Sequence, residues 1–242
     1  MLSVASPSHD AIRNAEALVT ESHVDGRTER GNQTRNAVLL HAVEIASMEG
    51  LEALSLGRLA SRLGISKSGV FALFGSKEAI QLATVRAATE IYRKTVVEPS
   101  MEASGRVGRL WALCENWLAY SRNRVFPGGC FLFAVSAEFD TKPGRVRDRI
   151  ARSSAVWNDL IKCTIEEAKQ AGELVKETDA PQLAFELIAL LEAANGSSLL
   201  HDDPAVYARA ERALLDRLRP LVTDLTLLPA KLTIRPSESD RQ

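Results

Sequence analysis

Apolar side chains recur at helical spacing along most of the chain. Val38, Ala42, Ile45 and Ala46 share one face of a stretch that reads as a helix from Thr34 to about Glu49, with Gly50 ending it. Leu56, Leu59, Ala60 and Leu63 then fall at i, i+3, i+4 and i+7, one face of a short helix. Ser55 precedes that run, where its hydroxyl can cap free backbone amides, and Gly64 follows it, where a left-handed residue is needed. Ser66 can cap a second short helix from Lys67, with Val70 and Phe74 inward. Ser76 begins a longer helix to about Val97, with Ile80, Ala83, Ala87 and Ile91 on its buried face and Pro99 as its stop.

Beyond Pro99 the pattern continues as helix after helix. Arg106 to Arg122 turns Trp111, Cys114, Trp117 and Leu118 to one side, and Pro127-Gly128-Gly129 predicts a turn before the apolar run from Cys130 to Phe139. A helix over Gly144 to Ala171 places Val146, Ile150, Trp157, Ile161 and Ala168 inward. The next, Pro181 to Asn195, is apolar nearly all round, with only Glu186 and Glu192 charged. Such a helix is covered on all sides, and a partner subunit is the simplest cover. The last, Pro204 to Arg219, spaces Ala210, Leu214 and Leu218 by four. No stretch alternates as a strand does, so the fold class is all-α: a three-helix head on a larger helical body. Residues 1–26 read as a flexible polar leader, 27–98 as the head with its connecting helix, 99–222 as the body, and 223–242 as a loose tail.

Two short helices joined by a tight turn containing Gly read as a helix-turn-helix, whose second helix enters a DNA major groove. Ser55, Leu59-Ala60, Leu63-Gly64-Ile65-Ser66, Val70-Phe71, Phe74 and Ser76-Lys77-Glu78 resemble, in order and spacing, the DNA-binding head of the TetR family of transcriptional regulators. Arg35 to Gly50 is similar to that family's first helix. The resemblance implies a repressor that holds a palindromic operator as a homodimer through its last two long helices. It also implies a body that releases the DNA on binding a small molecule, with the connecting helix as lever. A helical ligand-binding or interaction protein whose DNA head has decayed is the rival reading.

With Val70 and Phe74 in the core, Lys67, Ser68, Gly69, Phe71, Ala72 and Leu73 are left for groove or solvent. Gly inside a helix costs roughly 1 kcal/mol against Ala. Either close approach to DNA at Gly69 offsets that cost, or packing tolerates it. By resemblance, Ser55, Phe71, Leu73 and Lys77 match positions that meet the DNA backbone, although the family's usual Tyr is here Phe71 and its frequent His is Leu73. Thr34 and Arg35 are further candidates for phosphate. In the body, Trp111, Cys114, Trp117, Cys130, Phe131, Phe133, Phe139 and Trp157 are candidate walls of a ligand pocket, though ordinary core packing accounts for the same spacing.

Net charge is only −1 over 242 residues, which excludes a general polyanion binder. The head is mildly basic, with seven Lys/Arg against five Asp/Glu between Arg27 and Gln81, so backbone amides and helix N-termini would share the phosphate contacts. Cys114, Cys130 and Cys163 form no CxxC and fit a reducing cytoplasm. No signal peptide is legible, and the apolar run from Leu187 to Ala194 is too short for a bilayer, so the expected location is cytoplasmic with no membrane partner. Neither a GxSxG elbow, a GxxxxGK[ST] loop nor an HExxH motif occurs, so the sequence predicts no enzyme, no cofactor and no metal site. The effector is a small molecule that the sequence leaves unnamed.

Overall fold

The computed structural model describes residues 26–234, and among these the architecture is helical. The head comprises α1 (Gly26–Glu49), α2 (Leu56–Leu63) and α3 (Lys67–Phe74), followed by the connecting helix α4 (Lys77–Tyr92). A π-helical turn, Arg93–Val97, leads into the short α5 (Glu98–Met101). The body then adds α6 (Arg106–Arg122), α7 (Phe131–Phe139), α8 (Arg145–Gln170), α9 (Ala180–Leu200) and α10 (Ala205–Leu218). The leader up to residue 25, and the tail beyond Ile234, lie outside the described residues.

Local chemistry sets the boundaries in the head. The Ser55 hydroxyl accepts from Arg58 N at 3.1 Å, Ser66 from Gly69 N at 3.0 Å, and Ser76 from Ala79 N at 3.1 Å. Gly64 takes φ +65°, and the Ile65 amide reaches back to the Ala60 carbonyl at 3.1 Å, closing α2 as a left-handed cap. Leu59, Val70 and Phe74 are buried against Val38, Ala42, Ile45 and Ala46 of α1, as their periodicity predicts.

Several expectations are corrected. The helix expected from Thr34 is already formed where the described residues begin, at Gly26, because nothing in the polar run before Thr34 breaks it. Pro99 does not stop the connecting helix: the π turn re-spaces the carbonyls ahead of the proline, Glu98 N bonds back to Arg93 O, and the helical path runs on to Met101. On α4 the deep positions are Ile80, Ala83, Thr84, Ala88 and Tyr92, while Ala87 and Ile91 are half-buried. Polar Thr84 and Gln81 enter the core because each is paired, Thr84 Oγ1 to Ile80 O at 2.8 Å and Gln81 Nε2 to Leu51 O at 3.0 Å. The stretch from Thr223 to Ile234 is seated rather than loose. Buried Glu211 on α10 accepts from Thr233 N at 2.7 Å and Ile234 N at 2.8 Å, and Leu228 and Ile234 are buried.

The helix α9 is the one among the described residues that is long and apolar enough to cross a bilayer. It packs against α6, α8 and α10, burying Leu183, Leu187 and Leu191 with the polar Asn195 and Ser198. Phe185 (69%) and Leu200 (80%) remain exposed on it.

Candidate functional site

Head and body are joined at two close contacts. At the end of α1, Gly50 adopts φ +85°, turning the next two amides toward α7. There the Glu138 carboxylate accepts from Leu51 N at 2.7 Å and Glu52 N at 2.9 Å. A Cβ on Gly50 would stand 2.6 Å from that carboxylate and would have to push it off the two amides, and the positive φ itself favours glycine. The second contact is Gly128, whose missing Cβ would lie 1.8 Å from the Ser47 carbonyl oxygen. The turn before α7 therefore touches the backbone of α1 directly. Nothing local in the sequence marks Glu138 for this role, since its partners lie 86 and 87 residues away.

The outer face of α3 presents Lys67, Ser68, Phe71 and Ala72 to solvent, Phe71 being 55% exposed. Leu73 is half-buried against the core. Lys67 has no ion-pair partner among the described residues, whereas Arg58 forms a two-pronged pair with Glu49 and Arg62 approaches Glu44 at 3.9 Å. The Arg58 guanidinium holds the Glu49 carboxyl below its ordinary range. A Cβ on Gly69 would meet the Ser66 hydroxyl at 3.2 Å, so this glycine leaves space for the cap of its own helix.

Other expected phosphate contacts are engaged within the protein. Arg35 Nη1 donates to the Leu73 carbonyl, and its guanidinium lies 4.4 Å from the centre of the Phe74 ring. It thereby holds the C-terminal end of α3 to α1, where a cation is favoured. Lys77 Nζ donates to Glu52 O at 2.7 Å and to Glu52 Oε2 at 2.9 Å, which lowers the Glu52 pKa. Ser55 caps α2, and Thr34 is exposed on α1.

In the body the structure brings together four of the eight expected pocket residues. Trp117, Cys130, Phe133 and Trp157 line a chamber of about 30 Å³ with Tyr92, Leu132, Ser136, Ser154 and Glu192. Trp111, Cys114, Phe131 and Phe139 do not line it; each is buried in the packed core. Tyr92 was missed because it comes from the connecting helix, and Glu192 because a lone charge on an apolar helix carries no local signature. Ser154 and Glu192 also line a wider groove of about 410 Å³ between α8 and α9, beside the chamber. Tyr92 meets Trp157 edge-on at 5.5 Å between ring centroids and Tyr120 edge-on at 5.4 Å. Burial pushes the Cys130 thiol up to about 11 and the Tyr92 phenol well above its ordinary range.

Residues 38–84 match the family model for bacterial regulatory proteins of the tetR family. Residues 107–214 match the model for a tetracyclin repressor-like C-terminal domain. No curated protein matches the chain. A TetR transcriptional regulator from Chloroflexus aurantiacus J-10-FL superposes with a TM-score of 0.75 at 23% identity, covering 80% of this chain and 98% of that one. A transcriptional regulator from Saccharomonospora viridis in complex with choline gives 0.69 at 20% identity, covering 80% and 100%. The protein AibR, in complex with isovaleryl coenzyme A and operator DNA, gives 0.60 at 16% identity, covering 74% and 95%. At these identities the solved structures speak for the fold. Head and body each match their own family model, with the head on the helix-turn-helix and the body around the chamber, and the chain belongs to the TetR family of transcriptional regulators.

Proposed function

We propose that the protein is a cytoplasmic repressor that binds a palindromic operator as a homodimer and releases it when a small molecule occupies the body. The observation that carries this reading is the outer face of α3. A capped, packed helix presents Lys67, Ser68, Phe71 and Ala72 with no protein group over them among the described residues. Lys67 supplies the cation for a phosphate or guanine edge, and Phe71 and Ala72 supply apolar contact for a thymine methyl. Related folds hold choline in one case and isovaleryl coenzyme A with operator DNA in another, which supports a small-molecule effector read by the body.

Coupling follows from where the chamber sits. Tyr92 lines it at one end of α4, and Lys77 of the same helix grips the head loop through Glu52 at the other. Fifteen residues of α-helix carry a displacement about 22 Å along a stiff element. The helix α7 makes a second link, with Phe133 and Ser136 on the chamber and Glu138 on the Leu51 and Glu52 amides. An effector shifts the heads only as far as it prefers one arrangement over the other.

The test is selection of sites for the full-length protein from random duplex DNA at moderate salt, followed by titration of the recovered sequence. An inverted repeat is expected, with Ala72→Glu losing at least a hundredfold in affinity at unchanged melting temperature, because Ala72 is exposed and a carboxylate there meets phosphate. Absence of any enriched sequence at low salt would favour the decayed-head reading, for which the internally engaged Arg35 and Lys77 are the supporting observations.

A further inference from the structure

The chamber has a chemical bias that its size alone does not convey. Its walls include four aromatic side chains, Tyr92, Trp117, Phe133 and Trp157, contributed by α4, α6, α7 and α8. Such faces carry negative electrostatic potential and attract cations. Glu192 of α9 stands where the chamber joins the outer groove, for it lines both. Glu192 is exposed at this mouth; its carboxylate forms no hydrogen bond or ion pair among the described residues, and partial desolvation raises its pKa. The other charged groups of the groove, Asp159 and Lys162, satisfy each other at 2.8 Å. The walls thus hold one uncompensated charge, and it is negative. A second observation is independent of that charge. Tyr92 is only 7% exposed and lines the chamber, and its hydroxyl is sealed with no hydrogen-bond partner, so the ring rather than the hydroxyl is what this residue offers a bound head.

We infer that the effector is an organic cation, an amine or alkylammonium whose charged head enters the aromatic chamber beside Glu192 and whose apolar remainder follows the groove between α8 and α9. This deepens the regulator reading and rests on it for the word effector, although binding itself does not depend on DNA. The two volumes divide the ligand in that way. About 30 Å³ admits a compact head, and the adjoining 410 Å³ of groove, walled by Pro181, Ala184, Phe185 and Ile188, receives a tail. A neutral head would gain nothing from the Glu192 carboxylate, which stays solvated at the mouth, and an anionic head would meet both that charge and the negative faces of the rings. Either loses the selective part of the binding while keeping the apolar part.

The experiment compares three probes that share a six-carbon chain: hexylammonium, 1-hexanol and hexanoate. Each is titrated into the full-length protein by calorimetry, with the fluorescence of Trp117 and Trp157 as a second readout. The ammonium is expected to bind saturably, with a Kd at least tenfold below those of the alcohol and the carboxylate. The Glu192→Gln variant keeps the shape of the side chain and breaks no existing bond, so it folds; it is expected to remove most of the tenfold gap. The inference is overturned by an alcohol or carboxylate that binds as tightly, by no saturable binding of the ammonium, or by a Glu192→Gln variant that binds it like the wild type. Operator binding without any probe is measured on the same preparation. Operator held but ammonium ignored would refute the ligand class alone, whereas ammonium bound with no operator found would leave the ligand class standing and refute the regulator.

Discussion

Gly128 carries the tightest contact between body and head. A Cβ there would stand 1.8 Å from the Ser47 carbonyl oxygen and 2.9 Å from Met48 N, both parts of the α1 backbone and therefore unable to swing aside. Gly128→Ala must separate the turn from α1, and overpacking of this kind costs about 2–3 kcal/mol. Urea unfolding should show that loss, and a variant as stable as the wild type would mean that the turn relaxes freely. The cysteines give a second check at this scale. Burial raises the Cys114 thiol to about 12 and the Cys130 thiol to about 11, so at pH 8 both stay protonated, with a thiolate fraction of roughly one in a thousand or less. Half-buried Cys163 is expected to take up a maleimide in the folded protein, with Cys114 and Cys130 labelling only after unfolding. Rapid labelling of Cys130 in the native state would show that its thiol is neither sealed nor raised as the packing implies. What could be read at this scale from sequence was whatever is local. Ser55, Gly64, Ser66 and Ser76 mark their helix ends because a cap and its amide lie within three residues. Glu138, Tyr92 and Glu192 carried no such mark, since their roles come from residues brought close only by tertiary packing.

The helix α3 has a hydrophobic face of two buried residues, Val70 and Phe74, in eight, too little to hold an isolated helix in water. Its stability is borrowed from three attachments: the Ser66 cap, the packing of Val70 and Phe74, and Arg35 from α1. The last of these separates two roles for Arg35. If it serves as the clamp that the geometry describes, Arg35→Ala loses a charged hydrogen bond and a cation–π contact. It then destabilises the protein by about 1–3 kcal/mol. If it serves only DNA phosphate, stability is unchanged and only operator affinity falls. Thermal melting alongside DNA titration distinguishes the two, and a melting loss is expected. Element identity was legible where periodicity ran long, as in α6, α8 and α10, whose inward residues match the sequence reading. At α4 the helix was legible but not that paired Gln81 and Thr84 take core positions, and at Pro99 a π turn absorbs the proline that should have ended the helix.

At the scale of the whole molecule, the unanswered apolar surface lies on α9. Leu183, Leu187 and Leu191 face the body, and Phe185 and Ala189 border the groove beside α8, but Leu199 and Leu200 project outward beyond it. Both sides of this helix are apolar, as its composition indicated, and one chain covers only one of them. A single exposed apolar residue needs no explanation, but several along one helix imply a partner. A second copy of the chain, packed about a twofold axis on α9 and α10, would cover this face and space two α3 helices along a duplex. Leu200 is 80% exposed and lies outside the groove between α8 and α9, so Leu200→Glu tests the arrangement without disturbing the effector site or the packed core. Sedimentation should show the wild type as a dimer and the variant as a monomer at micromolar concentration, with an unchanged melting midpoint for the isolated subunit. Operator affinity should fall by about a hundredfold or more, because two half-sites no longer act through one linked molecule. A variant that stays dimeric would move the interface elsewhere on the body. A variant that becomes monomeric yet binds its operator undiminished would show that one α3 helix suffices, and the palindrome would lose its physical basis.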